Sequence, residues 1–177
     1  GASPSASAAR AMAAVAEAQP LLLTTADHAL LSPTVVDYFC EQASASDAEV
    51  VVGLAPYPRV AAAFPGARRT VLKLDQGYCG CNLFAFLTPR GRTATAYWQH
   101  LEARRKQPLK MLASIGWWPA LRYALGRLDL EGALALLSRR IGARAGAVLL
   151  PFPEAAVDVD TVADWHLVDA LARERAA

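Results

Sequence analysis

Leu21-Leu22-Leu23-Thr24-Thr25-Ala26-Asp27-His28-Ala29-Leu30-Leu31-Ser32-Pro33 decides how the rest of this chain is read. LLLTT is an apolar run of the length and kind found in a strand buried on both faces. Ser32 and Pro33 are an N-cap and a first helical residue for the helix that follows. Asp27 and His28 fall between the two, at the carboxyl end of the strand, where open α/β sheets hold their ligands. A lone carboxylate there is a hard oxygen ligand for a magnesium ion carrying phosphates, or simply a cap for the next helix. A lone histidine such as His28 is more often structural than functional.

The same alternation continues outward. Val35, Val36, Phe39 and Cys40 share one face of the helix, and EVVVGLA (49–55) reads as a second buried strand. Ahead of LLLTT, a serine-capped, alanine-rich stretch from about Ala8 to Ala18 predicts a helix that Gln19-Pro20 stops. Helix, strand, helix, strand predicts parallel pairing with right-handed crossovers. Pro56, Pro58, Pro65 and Gly66 break regularity. Residues 68–74 alternate as a half-exposed strand, Asp75-Gln76-Gly77 turns, and 78–87 form a longer strand interrupted at Gly80.

From about Thr93 to Arg140 the pattern is helical, with a basic patch at Arg104-Arg105-Lys106 and breaks near Pro108, Gly116 and Asp129. Trp117, Trp118, Leu121 and Leu125 cluster beside Arg122 and Arg127. Such a group suits a membrane surface or a lipid substrate. Packing of an inserted helical hairpin against a core is the favoured reading, because amphipathic helices usually face a core. Gly142 to Gly146 read as a loop and 147–150 as a short strand. Residues 154–161 read as a strand end on which period-two alternation puts Asp158 and Asp160 on the same side. Leu167, Val168 and Leu171 are the inward residues of a last helix.

Composition limits the functions available. The chain has 177 residues, 54% hydrophobic, with a net charge of +2. That suits one domain and gives no electrostatic case for nucleic acid. No apolar run is long enough to span a bilayer, and the N-terminal stretch reads as neither signal peptide nor anchor. Three cysteines, Cys40, Cys79 and Cys81, lack partners at zinc spacing and read as buried free thiols in a cytoplasmic protein. The two acidic strand ends, Asp27 and Asp158/Asp160, are far apart in sequence, yet a sheet can bring them together around one magnesium ion. Asp160 can equally cap the last helix.

Three segments resemble the MobA-like nucleotidyltransferases: LLLTTADHALLSP, RRTVLKLDQGYCGCNLFAF with its Gly-x-Asn, and AAVDVDTVADWHL with its Asp-x-Asp-Thr-x-x-Asp. Order and spacing agree over about residues 1–172. The resemblance implies a Rossmann-like open mixed sheet of the nucleotide-diphospho-sugar transferase type, with flanking helices and an inserted helical segment near 93–140. It implies transfer of a nucleoside monophosphate from a nucleoside triphosphate to a phosphorylated acceptor, with Mg2+ and release of pyrophosphate. Asp27 and Asp160 would be the catalytic metal ligands, with Asp158 nearby, and Gly80 and Asn82 would line the acceptor site. Ser5 and Ser7 would fall in a nucleotide-contacting turn. Lys73, with Arg69, Arg104 and Lys106, is offered for phosphate or acceptor only because it is basic.

The family opens with a strand and a Gly-rich loop, L-x-G-G-x-G-x-R, whose N–H groups cradle the triphosphate. Nothing here matches it, so residues 1–177 are expected to be a single, incomplete domain. The missing half would belong to a longer enzyme or to another chain, or the protein would be an inactive relative. An exposed sheet edge is then expected, covered by self-association into a homo-oligomer. The alternative function is a non-catalytic binding or assembly module on the same fold. A redox role for Cys79 and Cys81 is the thinnest option, since nothing in their setting lowers a thiol pKa.

Overall fold

The computed structural model describes residues 3–15, 19–65, 69–104 and 116–176. The elements run α1 (Pro4–Ala13), β1 (Leu21–Thr24), α2 (Pro33–Ala45), β2 (Val50–Pro56), α3 (Tyr57–Ala63), β3 (Val71–Leu72), β4 (Tyr78–Phe86), α4 (Ala94–Arg104), α5 (Trp117–Ala124), α6 (Leu130–Ile141), β5 (Ala145–Leu149) and α7 (Val162–Ala176). Short 3-10 turns occupy Gly91–Thr93 and Pro153–Ala156. The sheet is open and mixed, in the order β1-β4-β2-β5, with β3 pairing β4. The fold is therefore the α/β open sheet with flanking helices that the sequence predicts. Residues 16–18, Gly66, Arg68 and, within the expected inserted helical segment, 105–115 with Arg105, Lys106 and Pro108 lie outside the described residues.

Local signals formed where they were read. Ser32 accepts from the Val35 N–H at 3.4 Å and Pro33 opens α2. Ser3 caps α1 by accepting from Ala6, so that helix begins earlier than Ala8. Tyr57–Ala63 is a helix rather than a break, because Pro58 sits in its first turn, where no N–H is needed. The 68–74 strand shrinks to two residues, and β5 begins at Ala145, inside the expected loop.

Pairing differs from the parallel expectation. Among the described residues only β2 and β5 pair in parallel; β4 runs antiparallel to β1, β2 and β3. β1 is thus half-buried. Leu22 packs on one face of the sheet and Leu21 and Leu23 on the other, but among the described residues only β4 flanks it. The reason lies in β4, a strand remote in sequence that inserts between β1 and β2.

Each face of the sheet has its own core. On one side α2, α3 and the 153–156 turn cover Val51, Ala55, Cys79, Cys81, Leu83 and Ala85, with Phe39 fully buried among them. On the other, Val50, Phe86 and Ile141 join Met12, and Leu54 and Tyr78 meet Leu128, under α1, α4 and α6. A smaller cluster of Leu30, Val157 and Val168, with Val159, Leu167 and Leu171, docks α7 onto the loop after β1.

The turn after β4 is pressed against the start of β2. A Cβ on the buried Gly91 would lie 2.0 Å from the Glu49 carbonyl oxygen, and that oxygen also accepts from the Leu87 N–H at 2.9 Å. Backbone on both sides leaves nothing flexible to give. Gly91→Ala is expected to cost about 3 kcal/mol, at the upper end of overpacking penalties, read as a lower urea midpoint at unchanged slope.

Candidate functional site

A cleft of about 850 Å³ opens between β3, the middle of β4, the end of α3 and the first turns of α7. Gly80, Asn82, Asp158, Asp160, Thr161 and Asp164 are among its lining residues, with Arg69. Its shape on the β4 side comes from a bulge. Val52 faces Phe84 and Leu54 faces Gly80, so Cys81, Asn82 and Leu83 lie opposite Gly53 alone. Asn82 takes up the irregularity with a φ of +49°, the left-handed region that asparagine tolerates better than most residues. At Gly80 a Cβ would meet nothing within 4 Å. A side chain there would project into the open cleft, so the glycine keeps bare backbone on that wall.

The two acidic segments meet, although of the three expected aspartates Asp158 and Asp160 line the cleft and Asp27 does not. The Val159 N–H donates to the Asp27 carbonyl at 3.0 Å, which ties the segment before α7 to the loop after β1. Val157 and Val159 point into the small core, and Asp158 and Asp160 point the other way. No strand is assigned over 157–160, but its alternation is that of a strand. The Asp27 carboxylate accepts from the Thr25 hydroxyl.

Capping of α7 is done by other residues than Asp160. Thr161 Oγ1 accepts from the Asp164 N–H at 3.2 Å, while Asp164 Oδ2 accepts from the Thr161 N–H at 3.0 Å and from its hydroxyl at 2.7 Å. This reciprocal box is written in the sequence as T-x-x-D, where a capping box usually has glutamate or glutamine. It frees Asp160, which is exposed at the rim. Asp158 beside it, its own partial burial, and then Asp27 and Asp164 hold the Asp160 carboxyl above the usual carboxylate range.

Arg69 is the cation inside this cluster. Its side chain is only 6% exposed, and Nη1 donates to Asp164 Oδ1 at 2.9 Å and Asp158 Oδ1 at 3.3 Å. The Thr161 hydroxyl and then Arg69 keep Asp164 below the usual range, against its burial. A carboxyl depressed on folding adds stability that is complete above its unfolded pKa and disappears as pH falls through the folded one. Arg69→Met is therefore expected to cost about 2–3 kcal/mol near neutrality, between the limits for exposed and buried pairs. The deficit should shrink in acid, and urea titrations at several pH values would measure it.

Two of the other expected residues lie elsewhere. Ser5 is buried in α1, where its N–H donates to Glu102 of α4 at 3.1 Å, and it does not line the cleft. Lys73 is exposed beyond β3 with its N–H directed at the Tyr123 hydroxyl, 3.3 Å away; Leu72 lines the cleft in its place. Arg69 and Asp164 are the residues that carry charge into the site without a motif role assigned from sequence. His28 is buried beside the cluster, and burial holds its imidazole below the usual pKa against the pull of the Ala155 backbone and of Asp158 and Asp27. The cysteines are free. Burial raises Cys79 and pushes Cys81 up to about 12, which leaves thiols rather than reactive thiolates.

Among the described residues, no group of three or more His, Cys, Asp or Glu side chains is placed to hold a metal ion alone. Nor is any helix among them long and apolar enough to cross a membrane.

An open mixed sheet, helices on both faces and a carboxylate-lined cleft define an α/β protein with one candidate ligand site among the described residues. No protein-family model and no curated protein matches the chain. A solved structure of a hypothetical transferase from Thermus thermophilus is 31% identical, with a TM-score of 0.78. The similarity covers 89% of this chain and 67% of that one. The chain belongs to the family of that Thermus protein.

Proposed function

We propose that this protein is a nucleotidyltransferase of the MobA-like kind, moving a nucleoside monophosphate from a nucleoside triphosphate to a phosphorylated small molecule with release of pyrophosphate. The observation that supports the reading is the backbone bond from Val159 to Asp27, which brings the segment carrying Asp27 against the one carrying Asp158 and Asp160, two residues that line the cleft. Excess negative charge at that rim supports a cation. Mg2+ needs only one or two carboxylates, with water and phosphate oxygens completing its shell. Asp27 and Asp160 are the residues to hold it, since Asp158 is already paired with Arg69. When bound, the ion would offset phosphate charge as the transfer proceeds.

The remaining residues give the cleft its selectivity. Gly80 leaves room for a bulky ligand against the β4 backbone, and Asn82 offers an amide that can both donate and accept. Arg69 keeps Asp158 and Asp164 oriented and limits the repulsion a phosphate would meet. Catalysis on such a site is positioning and charge stabilisation. The test is pyrophosphate release by the product of the intact gene, with Mg2+, each nucleoside triphosphate and a panel of phosphorylated acceptors. Release that requires one triphosphate and one acceptor class supports the proposal. No release across the panel, with weak or absent nucleotide binding by calorimetry, assigns the fold to a binding role.

A further inference from the structure

Helix α5 is amphipathic in the wrong sense for a soluble body. At about 100° per residue, Trp117, Leu121, Leu125 and Trp118 fall within an arc of about 100°. That stripe faces outward: Trp117 is 74% exposed, Trp118 and Leu125 57%, and Leu121 41%. The opposite side of the helix is the attached one. Pro119 and Ala120 are half-buried there, and the Tyr123 hydroxyl meets the Lys73 N–H. The expectation that these residues pack in a core is thereby corrected: no residue of α5 is buried.

Charge says what the stripe meets. From Gly116 to Leu128 the chain carries Arg122 and Arg127 and no acid. Arg122 lies at the edge of the stripe, with its guanidinium on the Arg127 carbonyl at 3.0 Å, next to the end of the helix. Arg140 of α6 reaches the other end, its Nη2 3.6 Å from where a Cβ of Gly116 would stand. Of the acids that open α6, Asp129 and nearby Asp75 are turned onto the Gly132 and Leu130 N–H groups; Glu131 is exposed. Tryptophan beside arginine is the composition of a helix that lies in the headgroup region of an anionic bilayer.

A second copy fits less well. Side chains of this size expose on the order of 500 Å² here, toward the upper end of the largest apolar patch of a typical monomer, which is often functional, and short of the roughly 800 Å² per partner of a stable dimer. Face-to-face pairing would also oppose arginine to arginine.

We propose that the outward stripe of α5 docks this protein on an anionic membrane surface, with Trp117 and Trp118 seated among the headgroups and Arg122 and Arg127 against lipid phosphate. The inference does not depend on the transfer chemistry proposed above. Flotation with vesicles of phosphatidylcholine, with and without phosphatidylglycerol, tests it on the intact chain. Binding is expected to the anionic vesicles, to weaken with salt, and to fall about tenfold or more in the Trp117→Ala/Trp118→Ala double variant. These side chains are exposed, so the variant should keep the wild-type melting temperature. The proposal is overturned if anionic vesicles do not bind, or if the double variant binds as well as the parent. It is overturned too if light scattering shows a dimer that the double variant splits into monomers.

Discussion

Asp160→Asn is expected to remove nucleotidyl transfer and, at the same time, to raise the melting temperature near neutral pH. The loss follows from the site. Asp160 is one of two carboxylates proposed to anchor Mg2+, and an amide in its place supplies neither the charge nor the affinity. Removal of such a preorganised electrostatic contact lowers turnover about 100-fold or more. The gain in stability has the opposite sign because of the neighbours. Asp158 first, then burial, Asp27 and Asp164 hold the Asp160 carboxyl high. A carboxyl with a raised folded-state pKa opposes folding once ionised; the penalty is absent below the unfolded value and complete above the folded one. The advantage of the asparagine should therefore disappear in acid. Pyrophosphate release and thermal melts at pH 4 and at pH 8 separate the two effects. A variant that is inactive and also less stable at neutral pH would point to misfolding rather than to a lost ligand.

The largest stability effect is expected from Phe39→Ala. Phe39 is fully buried between α2 and the sheet, within the cluster of Val51, Ala55, Leu83 and Leu150. An added Cβ on Gly53 would come within 3.5 Å of its ring, so the aromatic fills the space left by the missing side chain. Truncation loses the ring's transfer energy and opens a cavity under β2, a strand held on both sides by β4 and β5. Costs of this kind run about 3–5 kcal/mol, or about 10 °C in melting temperature for a chain of this length. Calorimetry measures it. The cluster that docks α7 lies outside this core, so the carboxylate rim should keep its geometry and activity below the new transition.

How far the sequence disclosed all this depends on distance along the chain. LLLTT, Ser32-Pro33, EVVVGLA and the Asp75-Gly77 turn are local signals, and each formed close to its expected place. β1's antiparallel partner is about sixty residues away, and nothing within LLLTT says which strand will pair with it. α3 was hidden because prolines read as breakers, although the same residues suit a helix's first turn. The paired aspartates were legible through alternation and motif. Arg69 was legible only as one of several basic candidates for phosphate or acceptor, and its pairing with Asp158 and Asp164 was not, since one arginine in a basic stretch looks like any solvated surface residue. The T-x-x-D box was visible at 161–164 and would have released Asp160 from a capping role. The outward turn of Trp117 and Trp118 is a property of the assembled body, because periodicity gives a stripe but not the direction it faces.

The last helix is shallowly attached to the body and also carries part of the rim. α7 reaches the body through Leu167, Val168 and Leu171, with Arg69 bound to Asp164. Regions held by so few contacts open before the rest of a domain. On heating, function should be lost several degrees before far-ultraviolet ellipticity changes, and cooling from that window should restore it, because the sheet has never come apart.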